Sequence, residues 1–164
     1  MKTFEDIVVG ERETLGAYDL TEEDILAYAR KWDPHETHID PVAAKNTVFQ
    51  GLTAAGTHLI AITVRLMVTC PIQVSVLAGL GWDEVRFLAP GRPGDRLTLV
   101  RECIDKRLSA SKPDRGIVIN RMELSNQDGL LLVSYLDTIL MARQSPVSTE
   151  PVSPEYIRAP EGSG

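Results

Sequence analysis

The chain has 164 residues, a length that suits one domain with a hydrophobic core. Hydrophobic residues make up 43% of it and charged residues 24%, as is ordinary for a soluble globular protein. The net charge of −6 leaves no basic excess to offset phosphate repulsion, which argues against nonspecific binding to nucleic acid or to an anionic membrane. One anionic ligand in a local basic pocket is compatible with this charge.

The two cysteines, Cys70 and Cys103, have no metal-type spacing and form no disulfide pattern, which favours a reducing, cytoplasmic location. The N-terminus has no apolar run, so we expect no signal peptide. The most apolar segment, 59–68, is too short to cross a bilayer and contains Arg65. The sequence therefore predicts no membrane insertion.

Two start signals mark helices in the first half of the chain. Thr21 followed by Asp24 is typical of a capping box, and Pro34 predicts that the helix ends at Asp33. Asp40, which comes directly before a proline, is a second start signal, so we interpret Asp40 mainly as a capping residue.

A third helix is predicted from about Ala54 to Thr69, and Gly51 and Gly56 lie near its beginning. Its apolar residues lie almost all the way round the helical circumference. This pattern predicts a buried helix rather than one that is amphipathic on a surface.

The second half of the chain predicts β-strands separated by turns. An Asp128-Gly129 pair between two apolar runs indicates a hairpin. One antiparallel sheet wrapped around one buried helix follows, which is an α+β fold. The expected strands are 74–77, 84–87, 97–104, 116–124 and 130–141, with a further one around 14–20.

The chain divides into a domain at 1–143 and a C-terminal segment at 144–164. The segment is rich in Ser, Pro, Glu and Gly and cannot bury enough apolar surface to fold alone. We interpret it as a tail or an arm across the domain. Packing as an extension, anchored by Tyr156 and Ile157, is the alternative.

All three histidines lie close together in the sequence, and two of them, His35 and His38, follow Asp33 in a polar loop. An imidazole exchanges protons near neutral pH, and a carboxylate five residues away can converge with it on one water if the loop turns. Asp33 and His38 are therefore candidate catalytic residues. On spacing alone, a solvated loop without catalytic function is favoured.

A metal site is the alternative use of these residues. Asp33, His35, His38 and His58 could supply three or four ligands, but their spacing matches no standard zinc pattern. We predict no metal. Gly56, directly before the buried helix, would let a carbonyl oxygen approach an unpaired backbone N–H, although tight packing alone also explains a glycine there.

Three segments together resemble the MaoC-like hot-dog dehydratases, also called R-specific enoyl-CoA hydratases. They are Asp-Pro-His-Glu-Thr-His-Ile-Asp-Pro at 33–41, Phe-Gln-Gly-Leu-Thr-Ala-Ala-Gly at 49–56, and the strand and turn at 85–95. The resemblance covers about residues 3–143. It implies a hot-dog fold.

The resemblance also implies the reaction. Asp33 and His38 would form the catalytic pair, and the Gly56 N–H would stabilise the thioester oxygen. Together they would add water reversibly to a 2-enoyl-CoA, with CoA as part of the substrate and no separate cofactor. The expected ligand is an acyl-CoA or another acyl thioester.

The chain departs from the family pattern around this pair. Family members usually carry an amide residue at the position of His35, often a proline at that of Glu36, and in many cases a histidine at that of Ala55. Some members carry a serine at the position of Val64, which is apolar in this chain. His35 and Glu36 are therefore candidate orienting residues whose effect on activity the pattern leaves open.

Further substrate contacts are predicted at Leu52, Thr57 and Arg86. Two more arginines, Arg92 and Arg96, are candidates for the CoA phosphates, although an ordinary surface position is favoured for each arginine taken singly. Large apolar residues that would line an acyl tunnel, or simply pack in the core, are Trp32, Phe49, Leu52 and Trp82.

Two other functions compete with hydration. A hot-dog thioesterase would need a carboxylate on or near the buried helix, yet no Asp or Glu lies between Pro41 and Trp82. A noncatalytic acyl-CoA or lipid-binding subunit would fit the altered surroundings but not the retained Asp33 and His38. A lone hot-dog sheet leaves an exposed edge and apolar surface, so we expect a two-fold homodimer with one continuous sheet.

Overall fold

The structure is a computed structural model that describes residues 1–144, so the predicted segment at 144–164 lies outside the described residues except for Gln144. The helices are α1 Glu22–Trp32, α2 Glu36–Ile39 and α3 Gly56–Thr69, with short 3-10 turns at Phe4–Asp6 and Ala43–Asn46. The strands are β1 Arg12–Asp19, β2 Val76–Phe87, β3 Arg96–Leu108, β4 Arg115–Ser125 and β5 Leu131–Ala142.

Helix α1 begins with the predicted capping box. The Thr21 Oγ1 accepts a hydrogen bond from the Asp24 N–H at 3.1 Å, and the Thr21 hydroxyl donates to the Asp24 carboxylate at 2.8 Å. The helix ends at Trp32, with Asp33 as its C-cap. Both predicted ends are confirmed, and they place Asp33 at the beginning of the polar loop.

The five strands form one antiparallel sheet in the order β1-β3-β4-β5-β2. The predicted hairpin joins β4 and β5: the Gly129 N–H donates to the Asn126 carbonyl at 3.0 Å, and Gly129 has a φ of 77°. This left-handed conformation favours glycine, which explains the turn. The order leaves β1 and β2 at the two edges.

The prediction of two short strands at 74–77 and 84–87 is wrong, because one continuous strand, β2, begins at Val76 and contains all of the second predicted strand. Glycines at 79 and 81 interrupt the alternating pattern in the sequence, so the pattern predicts a break. In the structure the strand continues through both glycines, with shifts in register against β5. Glu84 lies in the last of these irregularities with a φ of 51°.

Helix α3 packs on one face of the sheet, where Leu59, Ile62 and Leu66 join the main hydrophobic core with side chains from β3, β4 and β5. This arrangement confirms the predicted antiparallel sheet against a central helix. The prediction that α3 is buried on every side is wrong for the single chain, because Val68 is 71% exposed and Ala61 is also exposed. The sheet covers one side of α3, and α1 covers part of its first half, where Tyr28 stacks on His58, so the exposed residues lie on the remaining surface of the helix.

The N-terminal residues are attached to the segment that leads into β2. The Lys2 N–H donates to the Gln73 carbonyl, and the Ser75 N–H donates to the Lys2 carbonyl, both at 2.8 Å. The Phe4 ring lies directly over Gly116 of β4, at a position where a larger residue would clash. The first residues therefore belong to the folded domain.

Candidate functional site

A cleft of about 450 Å³ opens at the N-terminus of α3. Asp33 and His38 reach it from the loop after α1, and Gly56 reaches it from the first turn of α3. Other residues around the cleft are Phe49, Thr53, Thr57, Phe87, Leu88 and Pro90. The structure therefore brings together the two candidate catalytic side chains and the glycine that the sequence singled out.

The loop that carries His38 is ordered by a short helix. We expected a loop between helices, whereas Glu36–Ile39 forms the four-residue helix α2. His35 caps it: its Nδ1 lies 2.9 Å from the Thr37 Oγ1 and accepts from the Thr37 N–H at 3.4 Å. After α2, the Asp40 carboxylate accepts from the N–H groups of Val42 and Ala43, which agrees with its predicted capping function.

One hydrogen bond fixes the tautomer and the direction of the His38 ring. The His38 Nδ1 lies 2.7 Å from the Thr53 carbonyl oxygen, and only a protonated Nδ1 can donate to a carbonyl. In the neutral ring, Nε2 then carries a lone pair. It points towards Asp33, whose Oδ2 lies 4.0 Å away. The ring is half-buried and the Asp33 carboxylate is more exposed.

This spacing suits one water molecule. Two acceptors about 4 Å apart can each receive one hydrogen bond from the same water, because each O–H donor reaches about 2.8 Å. A water held this way keeps an oxygen lone pair free towards the cleft. The pair of residues can therefore position a nucleophilic water and accept its proton.

Helix α3 begins in the cleft without a side-chain cap. Its N-cap, Ala55, offers no side-chain acceptor, so the first N–H groups of the helix have no intrahelical partner. The positive end of the helix dipole adds to their field. At Gly56 a Cβ atom would lie 2.8 Å from the Phe87 ring, so only glycine fits while this ring keeps its place. An oxyanion can approach the helix here.

Among the remaining predicted site residues, some line the cleft and others do not. Thr57 lines the cleft from the first turn of α3. His35 does not line the cleft, and its ring contacts Thr37 of α2. The Glu36 side chain is exposed beside the cleft but does not line it. Neither Leu52 nor Arg86 lines the cleft: Leu52 is buried in the core, while Arg86 is exposed and bonds the Val85 carbonyl.

The other candidates are also distributed between different places. Arg92 holds the segment beside the cleft, because its Nη2 donates to the Phe49 carbonyl at 2.6 Å. Arg96 forms an exposed ion pair with Asp19 at 2.7 Å. Trp32 is exposed and lies outside the cleft, whereas Phe49 lines it.

His58 lies apart from the other two histidines. Its ring is buried in α3 and stacks on Tyr28 with the ring centres 4.4 Å apart. Burial lowers its pKa, and the charge of Asp24 partly opposes this. Among residues 1–144, no group of three or more His, Cys, Asp or Glu side chains is placed to hold a metal ion. A bilayer-spanning helix is also absent from residues 1–144.

The sequence interpretation missed two kinds of residue. One is Thr53, which acts through its backbone carbonyl and so leaves no trace in residue type. The other is a set of polar side chains buried in the sheet, Arg101, Asn120 and Asp137. The alternation of the strands would have identified these three residues. Residues two apart on a strand face the same side of the sheet, and each of the three is two residues from an apolar residue that faces α3.

A five-stranded antiparallel sheet packed against one central helix is the arrangement of the hot-dog fold. The sequence profile described as "MaoC like domain" matches residues 6–122, and the chain therefore belongs to the MaoC-like dehydratase family. The chain is 32% identical over 116 residues to protein MaoC of Klebsiella aerogenes, which covers 68% of this chain and 34% of that protein.

Other known proteins are similar to this chain in sequence or in fold. A mesaconyl-CoA hydratase of Haloarcula hispanica is 32% identical over 95 residues, 51% of this chain and 26% of that protein. The chain thus spans about a third or less of these two relatives. A MaoC-like dehydratase of Rhodospirillum rubrum superposes with a TM-score of 0.84 at 32% identity, covering 90% of this chain and all of that one. An R-hydratase of A. caviae shares the fold, with a TM-score of 0.64 at 22% identity, covering 82% of this chain and 97% of that one.

Proposed function

We propose that the protein catalyses the reversible hydration of a trans-2-enoyl thioester, such as a 2-enoyl-CoA, to the 3-hydroxyacyl thioester. The observation that carries the proposal is the 4.0 Å separation of the Asp33 Oδ2 and the His38 Nε2 beside the N-terminus of α3. Membership of the MaoC-like family and the relatives named as hydratases support a hydratase or dehydratase reaction. CoA is part of the substrate, so this reaction needs no separate cofactor.

In the proposed reaction, one water adds across the C2–C3 double bond. The water donates one hydrogen bond to Asp33 and one to the His38 Nε2, and its oxygen attacks C3. One of the two residues takes the proton that the water loses, and the same pair of residues delivers a proton to C2. The two transfers balance, and the pair returns to its starting state. Dehydration follows the same path in reverse.

Negative charge develops on the thioester oxygen as the water attacks. The uncapped N-terminus of α3 offers the Gly56 N–H to this oxygen, with the helix dipole behind it. One such donor contributes about 3 kcal/mol to stabilisation of a transition state in enzymes that use it. His35 and Thr37 support the pair by ordering α2, on which His38 lies.

The cleft supports hydration better than thioester hydrolysis. A hot-dog thioesterase needs a carboxylate on or near the buried helix. Helix α3 contains no Asp or Glu, and Asp33 is the one carboxylate among the described residues around the cleft. It lies next to an imidazole rather than alone.

We also propose that two copies pair through the edge strand β2 to form one continuous sheet. Within residues 1–144, β2 pairs with β5 on one side and with no strand on the other. Its exposed apolar side chains include Val76, Leu80 and Trp82, and Val68 of α3 is exposed near them. An unpaired edge beside exposed apolar surface is typical of an interface between copies.

The first prediction concerns Asp33→Asn. Asparagine keeps the size of the side chain but cannot accept the proton of the water, so we expect kcat/KM to fall about 10²- to 10⁴-fold. The measurement is the loss of the conjugated-thioester absorbance for trans-2-enoyl-CoAs of increasing chain length.

Asp19→Asn is the matched control, since Asp19 forms only an exposed ion pair with Arg96 and should keep wild-type activity. Equal turnover by Asp33→Asn and wild type would refute the proposed role of Asp33. If the wild type binds acyl-CoA but hydrates none of the substrates, the hydratase proposal fails and a binding subunit takes its place.

A further inference from the structure

The ring of His35 caps helix α2 and does not line the cleft. Its Nδ1 accepts a hydrogen bond from the Thr37 N–H at 3.4 Å and lies 2.9 Å from the Thr37 Oγ1. Only an unprotonated ring nitrogen has the lone pair that this bond needs. The cap therefore requires the neutral imidazole, with its proton on Nε2.

Thr37 connects this cap to the candidate catalytic histidine. Its side chain is buried, and its carbonyl oxygen accepts a hydrogen bond from the Thr53 N–H at 3.1 Å. Thr53 is only 1% exposed, and its own carbonyl oxygen lies 2.7 Å from the His38 Nδ1, which donates to it. The backbone of Thr53 thus joins the residue that His35 caps to the ring that faces Asp33.

A second proton on the His35 ring reverses the polarity of the cap. The protonated Nδ1 becomes a donor, so its hydrogen faces the hydrogen of the Thr37 N–H. The Thr37 hydroxyl can rotate and accept, but the backbone N–H cannot change its direction. An N–H that loses its acceptor in a buried residue destabilises the segment that contains it, which here is α2.

The titratable groups around His35 lie on its own segment of the chain. The ring centres of His35 and His38 are 6.2 Å apart, and Asp33 and Glu36 are close neighbours in the sequence. The hydrogen bonds and ring contact of the His35 ring within residues 1–144 are with Thr37 and His38, and no ion pair joins it to another element there. Its response to pH therefore depends on its own proton and on the charges of three residues.

We propose that His35 is a positioning residue that makes the proposed hydratase sensitive to pH: its neutral ring holds α2, and with it His38, in the active position, and protonation of His35 releases them. This inference rests on the proposed function, which supplies the catalytic task of His38. His38 must itself be neutral to accept a proton from the water. Loss of activity at acid pH therefore requires two protons, one on each histidine.

His35→Asn separates the cap from the proton. The asparagine Oδ1 can accept from the Thr37 N–H, as at other helix N-caps, but an amide takes up no proton in this pH range. We expect the logarithm of the wild-type kcat/KM to fall at acid pH with a limiting slope of about two per pH unit, and that of His35→Asn with a slope of about one. The ratio of variant to wild type should rise about tenfold from pH 7.5 to pH 5.5.

Two further variants serve as controls. His35→Ala removes the acceptor, so kcat should fall about fivefold at pH 7.5 with KM nearly unchanged, and His35→Asn should restore kcat. Glu36→Gln removes a neighbouring charge and keeps the cap, so its profile should keep the slope of the wild type. Parallel profiles of wild type and His35→Asn, or loss of the second proton in Glu36→Gln, would overturn the proposal. If His35→Ala does not fold, the first comparison still decides.

A second measurement does not depend on turnover. In the ¹⁵N-labelled full chain, the amide signals of Thr37 and Thr53 should move together with the ring signals of His35 as the pH falls, and they should stay in place in His35→Asn. A Thr37 signal that does not change while the His35 ring titrates would overturn the proposal in an active enzyme as well. Linked signals in a wild type that hydrates no enoyl-CoA would support the pH-dependent cap and contradict the hydratase function instead.

Discussion

His38 and His58 show how surroundings divide one residue type between two functions. His38 donates through Nδ1 to the Thr53 carbonyl and keeps Nε2 towards Asp33 and the cleft. His58 lies in the core of the helix packing, and its Nδ1 has no hydrogen-bond partner among the described residues. The first histidine can exchange a proton with a bound water, whereas the second resists protonation because its charged form would be buried.

This difference predicts an effect of His58 on stability at acid pH. Burial lowers the pKa of His58 in the folded chain below its ordinary value of 6.5. As the pH falls through 6.5, the unfolded chain binds more protons than the folded chain, so the free energy of unfolding decreases. His58→Phe, which can keep the stacking on Tyr28, should lose less free energy of unfolding than wild type between pH 7 and pH 5.

Urea unfolding at several pH values measures this effect. The other two histidines and all carboxylates are common to both proteins, so their contributions cancel in the comparison. Parallel stability curves for wild type and His58→Phe over that range would contradict the prediction.

At the scale of elements, one buried hydrogen bond joins α3 to β5. The Thr63 Oγ1 donates its only proton to the Ile60 carbonyl at 2.7 Å, so the Tyr135 hydroxyl is the donor in their 2.8 Å contact. Burial raises the pKa of Tyr135 to about 12, which keeps the hydroxyl protonated and able to donate. This bond fixes the position of the helix on the sheet.

Tyr135→Phe should therefore destabilise the fold by about 1 kcal/mol, the usual net value of one hydrogen bond. Chemical denaturation measures the change. Tyr28→Phe is the matched control, because the Tyr28 hydroxyl bonds no described residue and its loss should leave stability nearly unchanged. A larger loss for the control than for Tyr135→Phe would refute the assignment.

Local patterns predicted most elements, and tertiary contacts decided the rest. The capping box of α1 and the turn at Asp128-Gly129 are complete within a few residues, so the sequence is sufficient for them. Helix α2 has only four residues and depends on the cap from His35, which no periodicity reveals. The length of β2 depends on its pairing with β5, which carries the strand across two glycines.

At the scale of the whole molecule, the proposed pairing of two copies through β2 predicts the effect of a charge on that edge. Leu80 is exposed on β2, and a lysine there would be placed between the two copies. Leu80→Lys should convert a dimer to a monomer. Light scattering coupled to size-exclusion chromatography measures the mass.

Leu108→Lys provides the matched control. Leu108 is an exposed leucine at the end of β3, and β4 and β5 separate that strand from β2. The control should stay dimeric. A wild type that is monomeric at all concentrations, or a Leu80→Lys variant that keeps the wild-type mass, would refute the β2 interface.

The site could be predicted from the sequence only in part. The spacing of Asp33, His38 and Gly56 and the family resemblance identified three residues that the fold places around one cleft. The sequence does not predict contacts between segments that are distant along the chain. Examples are the hydrogen bond between His38 and the Thr53 carbonyl and the contact of the Phe87 ring with Gly56. Leu52 lies in the segment before α3, and its packing in the core, which residue type does not reveal, keeps it out of the cleft.

The attachment of the first residues has a practical consequence for purification. Lys2 is bonded to Gln73, in the segment that leads into β2, and its ammonium belongs to the same ionic chain as Glu13 and Arg101. An affinity tag fused before Met1 would begin one residue from this chain. Measurements of stability are therefore best made after such a tag has been cleaved off, or with the tag placed after Gly164.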